Sequence, residues 1–544
     1  MTQLGRLWRT VRWLKPAQVL GRVRFRLQRP SLDLRPPPPL RPPASGAWVR
    51  PPARLPSLLS PTRMRFLGQE HDLAAVGWDE PTLPLLWRYN QHYFDDLHAI
   101  DASARREWHR QLVTRWLADN PAGRGTAWAP YPSSLRIVNW VRWFLAGQPP
   151  EPTWLASLAV QVRWLTRRLE WHLLGNHLFV NAKALVCAGL FFEGHEAEGW
   201  LGEGLRILEQ QLPEQVLADG AQFERSPMYH ALALEDVLDL LNLIAARAQA
   251  TSPALRLVPQ LRRRASDMLH WLRCLRHPGG MLARFNDTAE GIAPATDDIE
   301  RYAADLGIVA PAAPGEGVLA LQPSGYVRAV RGAATALLDV APIGPDYLPG
   351  HAHADTLSFE LSVQGQELIV NRGTSVYGDG PRRQLERGTA AHSTVQVGAH
   401  DSSEVWAGFR VGRRARPFDV TVDGWRIGAA HDGYAHLPGK PQHRREWTLE
   451  ADALLVHDHV EPDPEEPCVA RYHLAPGLGC EPAQGGHWIV RRGGDELARV
   501  QVLRGRGALE SWQHAQRFGE LVPAQTLAVQ LDAGVAEVRW HWST

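Results

Sequence analysis

Between about Pro84 and Leu306, apolar residues recur at helical spacing in long amphipathic stretches. Examples are LAVQVRWLTRRLEWHLL, NAKALVCAGLFFEG, GEGLRILEQQL, HALALEDVLDLLNLIAARA and LRRRASDMLHWLRCLR, separated by short polar or glycine-bearing turns. This texture predicts an all-helical domain; periodicity alone leaves a bundle, a superhelix and an α/α toroid open. After the APAAPGEG linker near 310–317 the period shortens to two. Runs such as LSFELSV, QELIVNRG, RREWTLE, ALLVHDHV and LAVQLDA alternate with glycine, proline and aspartate. That pattern predicts an antiparallel β-sandwich.

The chain opens differently. Leu4 to Leu27 mixes Leu, Val and Trp with Arg at helical spacing, a segment suited to a partner, a membrane surface or the protein's own body, with self-docking the expectation. From Arg35 to Pro61 crowded prolines predict an extended arm. The reading is therefore an α+β multidomain chain: a helix and Pro-rich arm over 1–75, a helical toroid over 76–312 and a β-sandwich over 313–544. A chain of 544 residues is too long for one core, which agrees with this division.

With 59 basic against 58 acidic residues the net charge is +1, which gives no nucleic-acid footprint. Four scattered cysteines form neither a disulfide framework nor a zinc motif. The charge-broken start holds no signal-peptide core, and no run reaches a membrane span. The default expectation is thus cytoplasmic, or periplasmic if exported by another route. The 22 Trp supply flat faces suited to sugar rings, although most are expected to be core.

Four polar clusters stand out. WRYNQHYFDDL offers Asn90 and His92, either as helix-opening residues or as sugar contacts. GNHLFVNAKAL places Asn176 and His177 at a break before a helix, where Asn176 has the character of an N-cap. DGAQFERSPMYH carries Glu224, Arg225, Tyr229 and His230. LPGHAHADTLSFEL sets His351, His353 and Asp355 at alternate positions, on one face if the chain is extended, followed by Asn371 and His392.

Asn176-His177, the Glu224 to His230 segment (E-x-S-x-x-YH), His351 to Ser358 (H-x-H-x-D-x-x-S) and His392 to Val395 occur in an order that resembles the heparinase II/III-like polysaccharide lyases. The arm, toroid and sandwich order is similar too. The resemblance implies β-elimination on a uronic-acid-containing polysaccharide. Asn176 would neutralise the carboxylate, Tyr229 and His351 would transfer protons with Tyr229 acting on the leaving oxygen, and Asn90, His92, His177, Glu224 and Arg225 would bind substrate. A phenolate at Tyr229 would need nearby cations such as Arg225 or the histidines. The WRYN-x-HYFD opening resembles that of relatives encoded beside bacterial exopolysaccharide machinery, which implies a bacterial polymer.

The resemblance also implies a structural zinc at His353, Asn371 and His392. Asparagine is a poor zinc ligand, so a hydrogen-bonded cluster is the preferred expectation and no cofactor is required; Asp355 and Asp379 are the spare carboxylates. Three other readings stay open: a uronate C5-epimerase, a glycoside hydrolase using Glu224 and Asp355, and a non-catalytic glycan-binding or assembly protein.

Overall fold

The computed structural model describes residues 3–44 and 46–543. Two helices open the chain, α1 (Gln3–Val11) and α2 (Pro16–Leu27). The helical region contains α3 (Arg106–Asp119), α4 (Pro130–Leu145), α5 (Pro152–Thr166), α6 (Gly175–Phe191), α7 (His195–Gln215), α8 (Pro227–Arg247), α9 (Val258–Cys274) and α10 (Thr296–Asp305). Proline at the first turn of α4, α5 and α8 fixes φ where no intrahelical N–H partner is lost. Helices α4, α6 and α8 pack in succession as an inner layer, against which α5, α7 and α9 lie as an outer one. Inner-layer helices are buried nearly all round, as α6 is with 15 of its 17 residues buried. Where α6 and α7 cross, a Cβ on Gly189 would stand 2.6 Å from Leu201, so only glycine admits that approach.

Beyond residue 316 every strand pair is antiparallel. A five-stranded sheet runs in chain order from Gly317–Leu321 to Gln366–Ile369. A bridge from Ile369 to Leu474 carries it to a four-stranded sheet, and an eight-stranded sheet faces both across one core that includes Trp447, Tyr472 and Trp540. Trp87, Trp116, Trp140, Trp154 and Trp271 are also fully buried, so tryptophan serves mainly as packing.

The proline-rich arm is extended and follows the helical layer: Arg41 donates to the Gly189 and Phe192 carbonyls, and Val49 and Asn242 exchange hydrogen bonds. Helices α1 and α2 dock on the body, yet not by their leucine- and valine-bearing sides. Arg6 and Arg9 pair with Glu404, and the Gln18 amide reaches the Leu173 and Tyr347 carbonyls. The expectation of self-docking is therefore met with the apolar stripe turned outward.

Candidate active site

Helices α6 and α8 bring Asn176 and Tyr229 to the wall of one cavity, together with Tyr131, Phe179 and Asp236. Asn176 is the second residue of α6 and does not cap it; the residue before the helix, Leu174, makes no side-chain cap. Gly175 has φ +55°, and a Cβ there would lie 2.2 Å from Leu348, so the helix start abuts the loop that leads to His351. Ser226 caps α8 by accepting from the Tyr229 N–H, which fixes the tyrosine in the first helical turn.

The Tyr229 ring stacks on His351 with centroids 3.7 Å apart, and its hydroxyl lies 3.2 Å from that of Tyr377. Burial, with Tyr377 and Tyr131 close by, pushes the Tyr229 phenol well above its usual range. Tyr229 therefore holds its proton. Arg225 is engaged on its other side: its Nε donates to the Ser324 carbonyl at 2.8 Å, and its own carbonyl accepts from Tyr326 and Asn286. Arg225 thus links the helical region to the first sheet through its Nε and its backbone carbonyl.

His351 Nδ1 lies 2.9 Å from Asp287, and its Nε2 stands 3.7 Å from Glu224. Asp287 is completely buried and gathers four further contacts: His353 Nε2 at 2.8 Å, Thr374, and two from Arg383. Burial alone would raise its carboxyl, but the Arg383 charge and the two histidine hydrogen bonds outweigh this and hold it well below the usual range. The segment from His351 to Asp355 is a loop, not a strand. His351 and His353 nevertheless converge, reaching Asp287 through opposite ring nitrogens. Asp355 does not join them; it accepts the Asn286 N–H at 3.0 Å, and burial raises it to about 6.

Glu224 is buried beside this pair, and burial raises its carboxyl against the opposing effects of His351 and Gln222. His177, a third exposed, bonds Glu170 at 3.1 Å. Burial disfavours its charged form, yet Glu170 and Glu224 raise it overall. Two expected contacts fall elsewhere. His92 is fully buried, bonded to Trp116 and Thr126, and pushed down to about 3 by burial, so it is a packing residue and that expectation is corrected. Asn90 turns its amide back onto the Leu86 carbonyl at the end of a short helix.

The zinc expectation can be tested on the donors. His353 and His392 rings lie 5.2 Å apart, and one nitrogen of the former and both of the latter are buried without partners. Asn371 has both amide atoms engaged, accepting from the Ser393 N–H and donating to Ser358. Asp379 accepts from the Gly408 N–H, and Asp355 is held by Asn286. Two neutral imidazoles and a committed amide do not fit a closed structural zinc site, which needs four donors and usually anionic ones. Among the described residues the converging metal-type group is instead His277, Glu360 and Glu367. There Arg284 clamps Glu367 through both nitrogens and Glu360 accepts the Asn371 and Arg284 N–H groups, so the cluster is an ion network already closed on itself.

Sequence reasoning missed Asp287, Tyr377 and Arg383. Asp287 lies in a short loop, ARFNDTAEG, whose polar run between apolar stretches was the one available signal.

Comparison with known proteins agrees with this layout. The "Heparinase II/III N-terminus" family matches residues 97–302 and "Heparinase II/III-like, C-terminal" matches 313–541. FtsZ-localized protein C of Caulobacter vibrioides is 29% identical over 340 residues, 57% of this chain and 55% of that protein. A heparin-sulfate lyase of Bacteroides stercoris is 31% identical over 124 residues, 22% of this chain and 18% of that protein. The chain thus spans little more than half of the first relative and under a quarter of the second. Among solved structures, a heparinase III superposes with a TM-score of 0.62 at 17% identity, covering 83% of this chain and 76% of its own. A mutant of heparan sulfate lyase HepC from Pedobacter heparinus gives 0.57 at 18%, covering 89% and 81%. With its helical region and its sheet region each matched, in that order, the chain belongs to the heparinase II/III-like family.

Proposed function

We propose that the protein is a polysaccharide lyase that cleaves an acidic, uronate-containing polymer by β-elimination, with His351 as base and Tyr229 as acid. The observation that carries this reading is the stack of His351 on Tyr229, itself a wall residue of the cavity, with Asp287 behind the imidazole. Asp287 accepts a hydrogen bond from His351 Nδ1–H and stays ionised, which fixes the tautomer with the Nε2 lone pair directed away from the carboxylate, and its charge stabilises the imidazolium that forms. The C5–H proton passes to Nε2, the electron pair forms C4=C5, and the C4–O4 bond breaks as O4 takes the Tyr229 proton. The raised phenol suits a proton donor, and Tyr377 can hydrogen-bond the phenolate left behind. Asn176, on the same wall, would donate to the uronate carboxylate. Glu224 stands beside the imidazole, its carboxyl raised by burial. No step draws on a metal.

The heparin-sulfate lyases among the relatives support the reaction class, and the sequence resemblance favours a bacterial exopolysaccharide as the polymer. A non-catalytic role has one observation in its favour: the relative matched over the longest stretch is named for its location at FtsZ, not for a reaction. Ultraviolet absorbance of unsaturated uronate, recorded over a panel of uronate polymers, separates the two. A rise with wild type that Tyr229→Phe and His351→Ala abolish is expected. Exchange of C5 protons with deuterated water, without any rise, would instead indicate an epimerase.

A further inference from the structure

The two opening helices show an inverted arrangement. Helix α1 faces the body with Arg6, Arg9 and Thr10, which contact Glu404 and Trp406, and turns Leu4, Leu7, Trp8 and Val11 to solvent. These four occupy one stripe at helical spacing, and Leu4 and Trp8 are 79% and 66% exposed. Helix α2 repeats the pattern. Gln18, Gly21 and Phe25 form its docked side, with a Cβ on Gly21 meeting the His172 backbone at 2.8 Å and Phe25 held between His172 and Arg168. Its outer side carries Val19, Leu20, Val23 and Leu27, the last 75% exposed. Among the described residues, ten of the 22 exposed large hydrophobic side chains lie between Leu4 and Leu34, so the apolar surface is concentrated here and not scattered.

Charge points to the occupant. Before Asp33 there are eight basic residues, Arg6, Arg9, Arg12, Lys15, Arg22, Arg24, Arg26 and Arg29, and no acidic one. Arg12, Arg22, Arg24, Arg26 and Arg29 are exposed alongside the apolar stripes. A second copy of the same face would repel it. Nucleic acid would leave the leucines and Trp8 in water. We propose that α1 and α2 form a foot that lies flat on an anionic lipid surface, with the apolar stripes in the headgroup–acyl boundary and the arginines on lipid phosphates. The foot is also braced against the candidate site. Lys15 lies over the Tyr347 ring at 3.9 Å and pairs with Glu214, which Tyr347 also bonds, and Tyr347 stands four residues before His351. A lipid-bound foot would thus hold the site loop at the membrane face, where a polymer emerging from or anchored to that surface is reached first.

The test is flotation of the full chain with vesicles of phosphatidylcholine alone and of phosphatidylcholine with phosphatidylglycerol. Wild type should float with the anionic vesicles and be released by high salt, since each basic residue at such a surface strengthens binding by roughly fivefold. Trp8→Glu with Leu20→Glu, both at exposed positions, should lower the bound fraction at least tenfold while leaving the melting temperature and the cleavage of soluble polymer unchanged. Arg24→Glu with Arg26→Glu should do the same. Absence of flotation, equal flotation with neutral vesicles, binding that the Trp8/Leu20 variant retains, or a wild-type dimer that this variant dissociates would each overturn the proposal. Loss of polymer cleavage by wild type would bear on the lyase reading alone.

Discussion

Asp287 and Asp458 have nearly the same surroundings and different prospects. Each is a fully buried aspartate gripped by both prongs of an arginine, Arg383 or Arg445, and bonded by histidine. Each also has a tyrosine close by, Tyr377 in the first case and Tyr472 in the second. The difference lies one atom further out. His443 passes its other nitrogen to His431 and is sealed inside the sandwich. His351 leaves Nε2 beside Glu224 and its ring face against Tyr229, with 13% of its side chain exposed. A charged triad becomes a reactive site only when one atom is left uncommitted where a substrate can come.

The largest effect expected from this contrast is on turnover. Tyr229→Phe and His351→Ala should each lower kcat/KM by about 10²–10⁴-fold with little change in melting temperature, whereas His443→Ala should reduce stability and leave the rate of the folded fraction intact. A His443→Ala enzyme as slow as His351→Ala would erase the distinction. Next, Asp287→Asn and Asp458→Asn each strand a buried arginine and should cost about 3–5 kcal/mol in urea unfolding. Turnover measured where both remain folded should fall for Asp287→Asn alone.

Acid should separate the histidines from the aspartates. His353 is pushed to about 4 and His92 to about 3 by burial, below an unfolded value of about 6.5. In that window the unfolded chain binds more protons, so stability is full above it and falls as pH drops through it. Asp287 and Asp458, held below an unfolded value of about 3.9, add stability that is complete above that pH and is lost only as pH falls further toward their lowered folded values. Urea midpoints should therefore decline from about pH 6.5 downward, with Asp458→Asn lowering the midpoint at every pH and changing its pH dependence only in the most acidic part. A midpoint constant down to about pH 4.5 contradicts the histidine assignment. The smallest effect concerns metal: zinc should be present well below one equivalent, and chelation should leave the melting temperature unchanged. A full equivalent would show that the His353 and His392 nitrogens recruit a donor that Asn371 does not supply.

Much of the architecture was legible because the period of the apolar pattern changes once, near residue 310, and each side of that change obeys one rule of burial. The His351–His353 pair was legible for a weaker reason, polar density in an apolar setting, and the loop conformation undid the one-face argument while the shared carboxylate restored the convergence. Asp287 was not legible. It is brought to the histidines by the packing of the loop after α9 against the start of the sandwich, a contact 64 residues apart in sequence that no local spacing encodes. His92 was misjudged for the complementary reason, since a polar residue beside aromatic ones marks a buried pin as readily as a binding surface. In α1 and α2 amphipathicity was visible, but which face would meet the body was not.

The most direct test of the central claim is cleavage in oxygen-labelled water, with both new chain ends read by mass spectrometry. Elimination by the Tyr229–His351 pair predicts no label in either fragment and an unsaturated uronate at one end. A single labelled oxygen with both ends saturated would mean hydrolysis and would contradict the account.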